Sequence, residues 1–127
     1  MHQKEDLNSR KKSLIKLLHT IKENEATITA ALYDDFKKPE VESFLSEINI
    51  VYDELKSAIK NITRWTKPKR VWPNLLNFPS SDWIYQEPYG NVLIISPWNY
   101  PFQLAICPLI GAIAAGNNVT LKPSELT

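Results

Sequence analysis

Residues 91–122 have the sequence NVLIISPWNYPFQLAICPLIGAIAAGNNVTLK, and the pattern changes twice along this segment. The continuous apolar run at residues 92–95 is typical of a strand buried on both faces of a parallel sheet. A helical segment follows from Pro101 to about Ala115, and Gly116 is a good C-terminal cap. Residues 118–121 then predict a second strand. Strand, crossover helix and strand form a βαβ unit, which implies a parallel sheet.

The predicted sheet is incomplete, because two parallel strands leave faces and edges that other elements must cover. Ser124 is a good N-cap for a further helix, yet the sequence ends at Thr127. We therefore expect an α/β fold that contains only the first βαβ unit of a Rossmann-like parallel sheet.

The segment before this unit is predicted to be helical. Between Glu5 and about Trp65 the sequence has one proline, Pro39, and no glycine, and Pro39 is well placed to start the last helix. Apolar residues recur there at the spacing of amphipathic helices: Leu14, Leu17, Leu18, Ile21; Ile28, Ala31, Leu32, Phe36; Phe44, Ile48, Val51, Tyr52, Leu55, Ile59 and Ile62. Residues 1–66 therefore form the amino-terminal helical region.

Residues 67–90 form a proline-rich linker between this region and the βαβ unit at residues 91–127. Residues 83–85, Trp-Ile-Tyr, are β-prone and predict an edge strand or one arm of a hairpin. Because tryptophans are usually well buried, we expect Trp65, Trp72 and Trp83 to cover hydrophobic surface.

Composition excludes several classes of function. The 127 residues carry a formal net charge of +1, with 43% hydrophobic and 23% charged residues, so no strong field attracts nucleic acid or anionic lipid. The single cysteine, Cys107, excludes an internal disulfide and a multi-cysteine metal site, and we predict no metal site. The longest weakly polar stretch, residues 101–115, is too short to span a bilayer. A soluble, cytoplasmic protein is expected.

Two turns follow the predicted strands, Ser-Pro-Trp-Asn at residues 96–99 and Lys-Pro-Ser-Glu at residues 122–125. Ligands of open α/β sheets bind at the carboxyl ends of the strands, so both turns could face one ligand. The glycine-rich dinucleotide fingerprint is absent from the first turn. From the residues alone two interpretations remain: a ligand-binding rim, or structural turns in which Asn99 and Ser124 cap helices.

Several motifs bear on this choice: EPYGNVLIISPWNYP at residues 87–101, GAIAAGN at 111–117 and VTLKPSE at 119–125. Together they resemble the first βαβ unit of the aldehyde dehydrogenase superfamily. The short arm ahead of Asn99 is similar to the class 3 branch, which oxidises medium- and long-chain or aromatic aldehydes and tends to form dimers. The resemblance implies an NAD(P)-dependent enzyme that converts an aldehyde into a carboxylic acid and forms a homodimer at full length.

The resemblance also implies roles for residues of both turns. Asn99 would be catalytic, because its amide would donate a hydrogen bond to the oxyanion formed when a thiolate attacks the aldehyde. The backbone of Ile95, Ser96, Pro97 and Trp98 would line the cofactor cleft. Lys122, Ser124 and Glu125 would belong to the cofactor site, with Lys122 and Glu125 on the adenosine ribose. A carboxylate at Glu125 favours NAD, although NADP is also compatible with the family.

The family's nucleophilic cysteine, glutamate base and glycine-rich turn would all lie beyond Thr127. Cys107 is a poor nucleophile candidate because apolar residues surround it and no neighbouring cation lowers its pKa. We therefore expect the 127-residue chain alone to be inactive. Two alternatives stay open: a non-catalytic interaction module derived from the family, and part of a related reductase that uses coenzyme A or an acyl phosphate.

Overall fold

The fold comes from a computed structural model that describes residues 2–127. The helices are α1 (His2–Glu23), α2 (Glu25–Phe36), α3 (Glu40–Ser43), α4 (Asn49–Trp65) and α5 (Pro101–Ala115). A π-helical turn (Phe44–Ile48) joins α3 to α4, and a short 3₁₀ turn covers Leu75–Asn77. The strands are β1 (Lys69–Val71), β2 (Asp82–Ile84), β3 (Asn91–Ile95) and β4 (Asn118–Lys122).

The predicted stripe of α1 and most of the α4 stripe meet in one core with α5. Of the predicted α2 stripe only Ile28 packs against this core, and Ala31 is exposed. Helix α3, the π-helical turn and α4 follow one another directly, so the helix predicted to begin after Pro39 is confirmed with one local irregularity. A π-helical turn is wider than an α-helical turn, and such turns are frequent at functional sites. The core residues are Leu14, Ile21, Ile48, Val51, Tyr52, Leu55, Ala58, Ile62, Ile110 and Ala114.

The βαβ unit is confirmed. Strands β3 and β4 pair in parallel, with Ile95 opposite Lys122, and α5 contacts both strands as well as α1 and α4. Gly116 ends α5 with a φ of 91°, and its N–H donates to the carbonyl oxygen of Ile113 at 3.0 Å. The left-handed conformation that a glycine allows is thus what turns the chain from α5 into β4.

The prediction that residues 92–95 are buried on both faces is wrong for this chain. Leu93 is 60% exposed and Ile95 is 67% exposed, whereas Val92 and Ile94 are half-buried. Residues of a strand alternate between the two faces of a sheet, and α5 covers only one of them. Within residues 2–127 no element covers the other face, so the apolar run indicates a second layer outside this part of the chain.

The predicted hairpin arm is confirmed, since β1 and β2 pair antiparallel with Arg70 opposite Trp83. The expected burial of the three tryptophans is wrong. Trp72 is 97% exposed, and Trp65 and Trp83 are also exposed. The reason is that β1 and β2 chiefly contact each other, so the hairpin has no apolar layer against which Trp72 and Trp83 could pack.

Candidate functional site

The turns after β3 and β4 lie side by side. The backbone N–H of Ser96 donates to the carbonyl oxygen of Lys122 at 3.1 Å, which extends the parallel ladder by one further bond. Both turns therefore emerge at the same edge of the sheet, as the sequence predicted. We call the two turns, residues 96–99 and 122–125, the rim. This edge is where α/β proteins with parallel sheets place their ligands.

The side chains at this edge are polar and accessible. Lys122 Nζ donates to Glu125 Oε1 at 2.8 Å, and both side chains are exposed, so solvent screening keeps this ion pair weak. Ser124 Oγ accepts from the N–H of Leu126 at 3.1 Å, which is the local geometry of a capping serine. Pro97, Trp98 and Asn99 of the first turn are also exposed. An ammonium, a carboxylate and an amide are thus available at one rim.

Ser96 is the buried member of the rim. Its side chain is 4% exposed, and its Oγ has no hydrogen-bond partner among the residues that the structure describes. Buried polar atoms are almost always satisfied, so an orphaned hydroxyl at a strand end indicates a polar partner from outside. The residues present therefore fit a polar ligand at this rim.

The capping role of Asn99, one of the two interpretations from sequence, is wrong. The N-cap residue of α5 is Tyr100, whose side chain makes no capping hydrogen bond. The carboxylate of Glu47 takes that place: its Oε2 accepts from the N–H of Phe102 at 2.9 Å and from that of Gln103 at 3.3 Å. An N-cap side chain accepts from these same two positions, so the helix start is satisfied without Asn99.

Glu47 reaches α5 from the π-helical turn and is fully buried. Its Oε1 pairs with Lys38, which is 8% exposed and whose Nζ lies 4.5 Å from the centre of the Tyr100 ring. Sequence analysis missed both residues. A signal existed, because Glu47 stands four residues before Val51 and eight before Leu55, on the stripe that the helix buries.

The surroundings of Cys107 do not favour a nucleophile. It is half-buried and packs against the core shared by α1, α4 and α5. Burial raises the pKa of the Cys107 thiol, and the negative charge of Glu54 raises it further. A thiolate is the reactive form of cysteine, so both effects lower its reactivity at neutral pH.

Among the residues that the structure describes, no group of three or more His, Cys, Asp or Glu side chains stands close enough to hold a metal ion. No helix in the described part of the chain combines the length and apolar character needed to cross a membrane.

Comparisons with known proteins identify the family of the chain. Residues 2–127 match the aldehyde dehydrogenase family. The chain belongs to this family. It is 51% identical over 125 residues to 4,4'-diaponeurosporen-aldehyde dehydrogenase of Staphylococcus aureus, covering 98% of this chain and 27% of that protein. It is 52% identical over 106 residues to aldehyde dehydrogenase family 3 member I1, chloroplastic, of Arabidopsis thaliana, covering 84% of this chain and 19% of that protein.

Solved aldehyde dehydrogenase structures share the fold. A substrate-bound Staphylococcus aureus AldH superposes with a TM-score of 0.90 at 50% identity, over 94% of this chain and 26% of the other. An NADP-dependent glyceraldehyde-3-phosphate dehydrogenase from Bacillus halodurans C-125, solved with NADP, gives a TM-score of 0.78 at 25% identity, over 94% of this chain and 25% of the other. The chain spans about a quarter of the length of the curated aldehyde dehydrogenases that it matches.

Proposed function

We propose that this chain is the amino-terminal part of an NAD(P)-dependent aldehyde dehydrogenase that oxidises an aldehyde to a carboxylic acid. The observation that carries this proposal is the rim at the carboxyl ends of β3 and β4. There the exposed Asn99 lies in the turn after β3, the Lys122–Glu125 pair lies in the neighbouring turn after β4, and Glu47 satisfies the start of α5.

Asn99 would act on the reacting carbonyl. When a thiolate attacks the aldehyde, the carbonyl oxygen becomes an oxyanion, and the Asn99 amide would donate a hydrogen bond to it. A positioned amide donor of this kind lowers the barrier by about 3–4 kcal/mol in well-studied acyl-transfer enzymes. The thiolate and the general base would come from the rest of the protein, because Cys107 packs on the core.

The second strand end would hold the cofactor. Lys122 and Glu125 offer a donor and an acceptor, which together suit the two hydroxyls of a ribose. The backbone of Ile95, Ser96, Pro97 and Trp98 would line the cleft, and the orphaned Ser96 hydroxyl would find a partner there. When bound, NAD(P)⁺ would supply the acceptor for the hydride that leaves the thiol adduct of the aldehyde. Water would then hydrolyse the resulting thioester to the carboxylic acid and free the thiol. We favour NAD because the Glu125 carboxylate would repel a 2′-phosphate, although a relative of the same fold was solved with NADP.

The substrate would be an apolar aldehyde. Two relatives support this choice by their names: the 4,4'-diaponeurosporen-aldehyde dehydrogenase above, and the 4,4'-diapolycopene-4,4'-dial dehydrogenase of Cytobacillus firmus, which is 44% identical over 119 residues. We further propose a cytoplasmic homodimer for the full-length enzyme, and no aldehyde oxidation by the 127-residue chain alone.

The first test is to sequence the coding DNA beyond the codon for Thr127. A reading frame that continues through a glycine-rich turn, a glutamate and a cysteine is expected. The full-length protein should then form NADH from NAD⁺ and a long-chain aldehyde, and its mass in solution should be that of a dimer.

Three other results would contradict the proposal or favour one of its alternatives. A stop codon at that position would contradict the proposal and favour the interaction module. A full-length protein that turns over only with coenzyme A or an acyl phosphate would favour the related reductases. NADH formation by the pure 127-residue chain would contradict its predicted inactivity.

A further inference from the structure

The start of α5 is held by a part of the chain far away in sequence. Glu47 lies 55 and 56 positions before Phe102 and Gln103, whose N–H groups it accepts. Pro101 is the first residue of α5, and Asn99 stands two residues before it. The orientation of the turn at residues 96–99 therefore depends on where Glu47 fixes the first turn of this helix.

We propose that Glu47, held by Lys38, is a positioning residue that fixes Asn99 for oxyanion stabilisation. This inference rests on the proposed aldehyde dehydrogenase function. Glu47 accepts the hydrogen bonds that an N-cap side chain would otherwise take, so the start of α5 is satisfied without the Asn99 amide. Lys38 neutralises Glu47 and lies against the ring of Tyr100, the residue between Asn99 and α5.

Because Lys38 and Glu47 are both buried, their contacts with the first turn of α5 are expected to be rigid. A carboxylate that is fully removed from water keeps its position only if its oxygens are satisfied, and here one oxygen takes Lys38 and the other takes two N–H groups. Hydrogen bonds to a charged acceptor are roughly twice as strong as neutral ones. The positive end of the α5 dipole adds a further attraction for the carboxylate. Small shifts of Asn99 are thereby resisted.

A fixed position of Asn99 matters because catalysis depends on the exact distance between the amide donor and the reacting oxygen. A displacement of about 1 Å in an active site can lower the rate about a hundredfold. Replacing Glu47 would leave the Asn99 amide present but less well placed, so the rate of the chemical step should fall while cofactor binding at the β4 end is retained.

The test is a double-mutant cycle in the full-length protein with Glu47→Gln and Asn99→Ala. The readout is the single-turnover rate of NADH formation from a long-chain aldehyde. We expect Glu47→Gln to slow this step about tenfold when Asn99 is present, and less than about twofold in the Asn99→Ala background. The dissociation constant for NAD⁺, measured by calorimetry, should change less than about threefold.

Two further variants separate positioning from stability. Lys38→Met/Glu47→Leu removes both buried charges, so no charge is left unpaired, and it should recover part of the thermal stability that Glu47→Gln loses. It provides no acceptor for Phe102 and Gln103, so the single-turnover rate should stay low. Glu42→Gln changes an exposed carboxylate of α3 and should leave both the rate and the thermal stability unchanged.

The outcomes distinguish the two proposals. A wild-type protein without aldehyde oxidation refutes the proposed function, and the positioning role with it. An active wild type refutes the positioning role alone if Glu47→Gln slows both backgrounds equally. The positioning role is also refuted if the single-turnover rate of Lys38→Met/Glu47→Leu recovers together with its thermal stability. If Glu47→Gln does not fold, the Lys38→Met/Glu47→Leu protein takes its place in the cycle.

Discussion

Arg10 Nη1 donates a hydrogen bond at 3.2 Å to the carbonyl oxygen of Ala115, although the two residues are 105 positions apart. Ala115 is the last residue of α5, where unsatisfied carbonyl groups carry the negative end of the helix dipole. Glu47 occupies the opposite, positive end. Two charged side chains from the helical region therefore bracket the one helix that connects β3 to β4 and sets the position of the rim.

Gly116→Ala should destabilise the full-length protein by about 1–2 kcal/mol, because a left-handed backbone is costly for any residue with a Cβ. Gly116 has a φ of 91°, and an added Cβ would collide with the guanidinium of Arg10. Urea unfolding measures the effect. The matched control is Gly111→Ala, where no heavy atom lies within 4 Å of the added Cβ. It should gain about 0.5–1 kcal/mol from helix propensity. Equal losses at both positions would contradict the expected cost of a Cβ at residue 116.

Asn99→Ala should lower kcat of the full-length enzyme about 100- to 1000-fold, because the oxyanion loses its amide donor. The thermal midpoint should hardly change, since Glu47 and not Asn99 caps α5. Steady-state kinetics and calorimetric unfolding check the two parts. Asn8→Ala, an exposed change on α1, is the control. A large loss of stability with unchanged kcat would instead return Asn99 to a structural role.

Glu125→Gln should shift cofactor preference toward NADP, because it removes the negative charge that repels a 2′-phosphate. The ratio of kcat/KM for NAD to that for NADP is expected to fall about tenfold, equivalent to about 1.4 kcal/mol. The exposed Glu42→Gln should leave the ratio unchanged. If the ratio stays constant in Glu125→Gln as well, Glu125 does not select the cofactor.

Cys107→Ser should keep the rate of NADH formation within about twofold of the wild type, because this side chain packs on the core and takes no part in the chemistry. Burial, and then the charge of Glu54, raise the pKa of the Cys107 thiol, so its alkylation should need higher pH in the folded chain than in urea. Iodoacetamide labelling followed by mass spectrometry measures this. Rapid labelling at neutral pH, or an inactive serine variant, would show that Cys107 is reactive.

Tyr52→Phe should destabilise the protein by about 1–3 kcal/mol at pH 8, because the hydroxyl donates to Glu25 Oε2 at 2.5 Å. Burial raises the pKa of Tyr52 above its ordinary value, and Glu25 adds to the rise through this bond and its charge. The folded state thus favours the neutral phenol. Its contribution is complete below about pH 10, the ordinary tyrosine value, and is lost as the pH rises further.

The difference in unfolding free energy between wild type and Tyr52→Phe should therefore shrink as the pH is raised above about 10. Urea unfolding at a series of pH values up to 11 measures it. Tyr33→Phe, at an exposed position of α2, provides the control. A difference that grows with pH would contradict the neutral, hydrogen-bonded state of Tyr52.

Local patterns were sufficient to predict the elements that carry the rim. The apolar stripes predicted the helices, and a glycine at residue 116 predicted the end of α5, because helix periodicity and left-handed backbone are both encoded in neighbouring residues. The motifs at residues 97–101 and 119–125 also indicated the two turns that we propose as the site. The misjudged burial of Trp72 and Leu93 has one cause: exposure depends on what covers a surface, and a local sequence does not contain that layer.

The sequence by itself thus determined the helical region, the βαβ unit and the family, since each depends on residues within a few turns of one another. Only the tertiary structure decided which residues hold the ends of α5. Glu47 and Arg10 act across 55 and 105 positions. Such pairs form only when packing brings charged side chains to unsatisfied backbone groups, and the spacing of residues along the chain does not specify that contact.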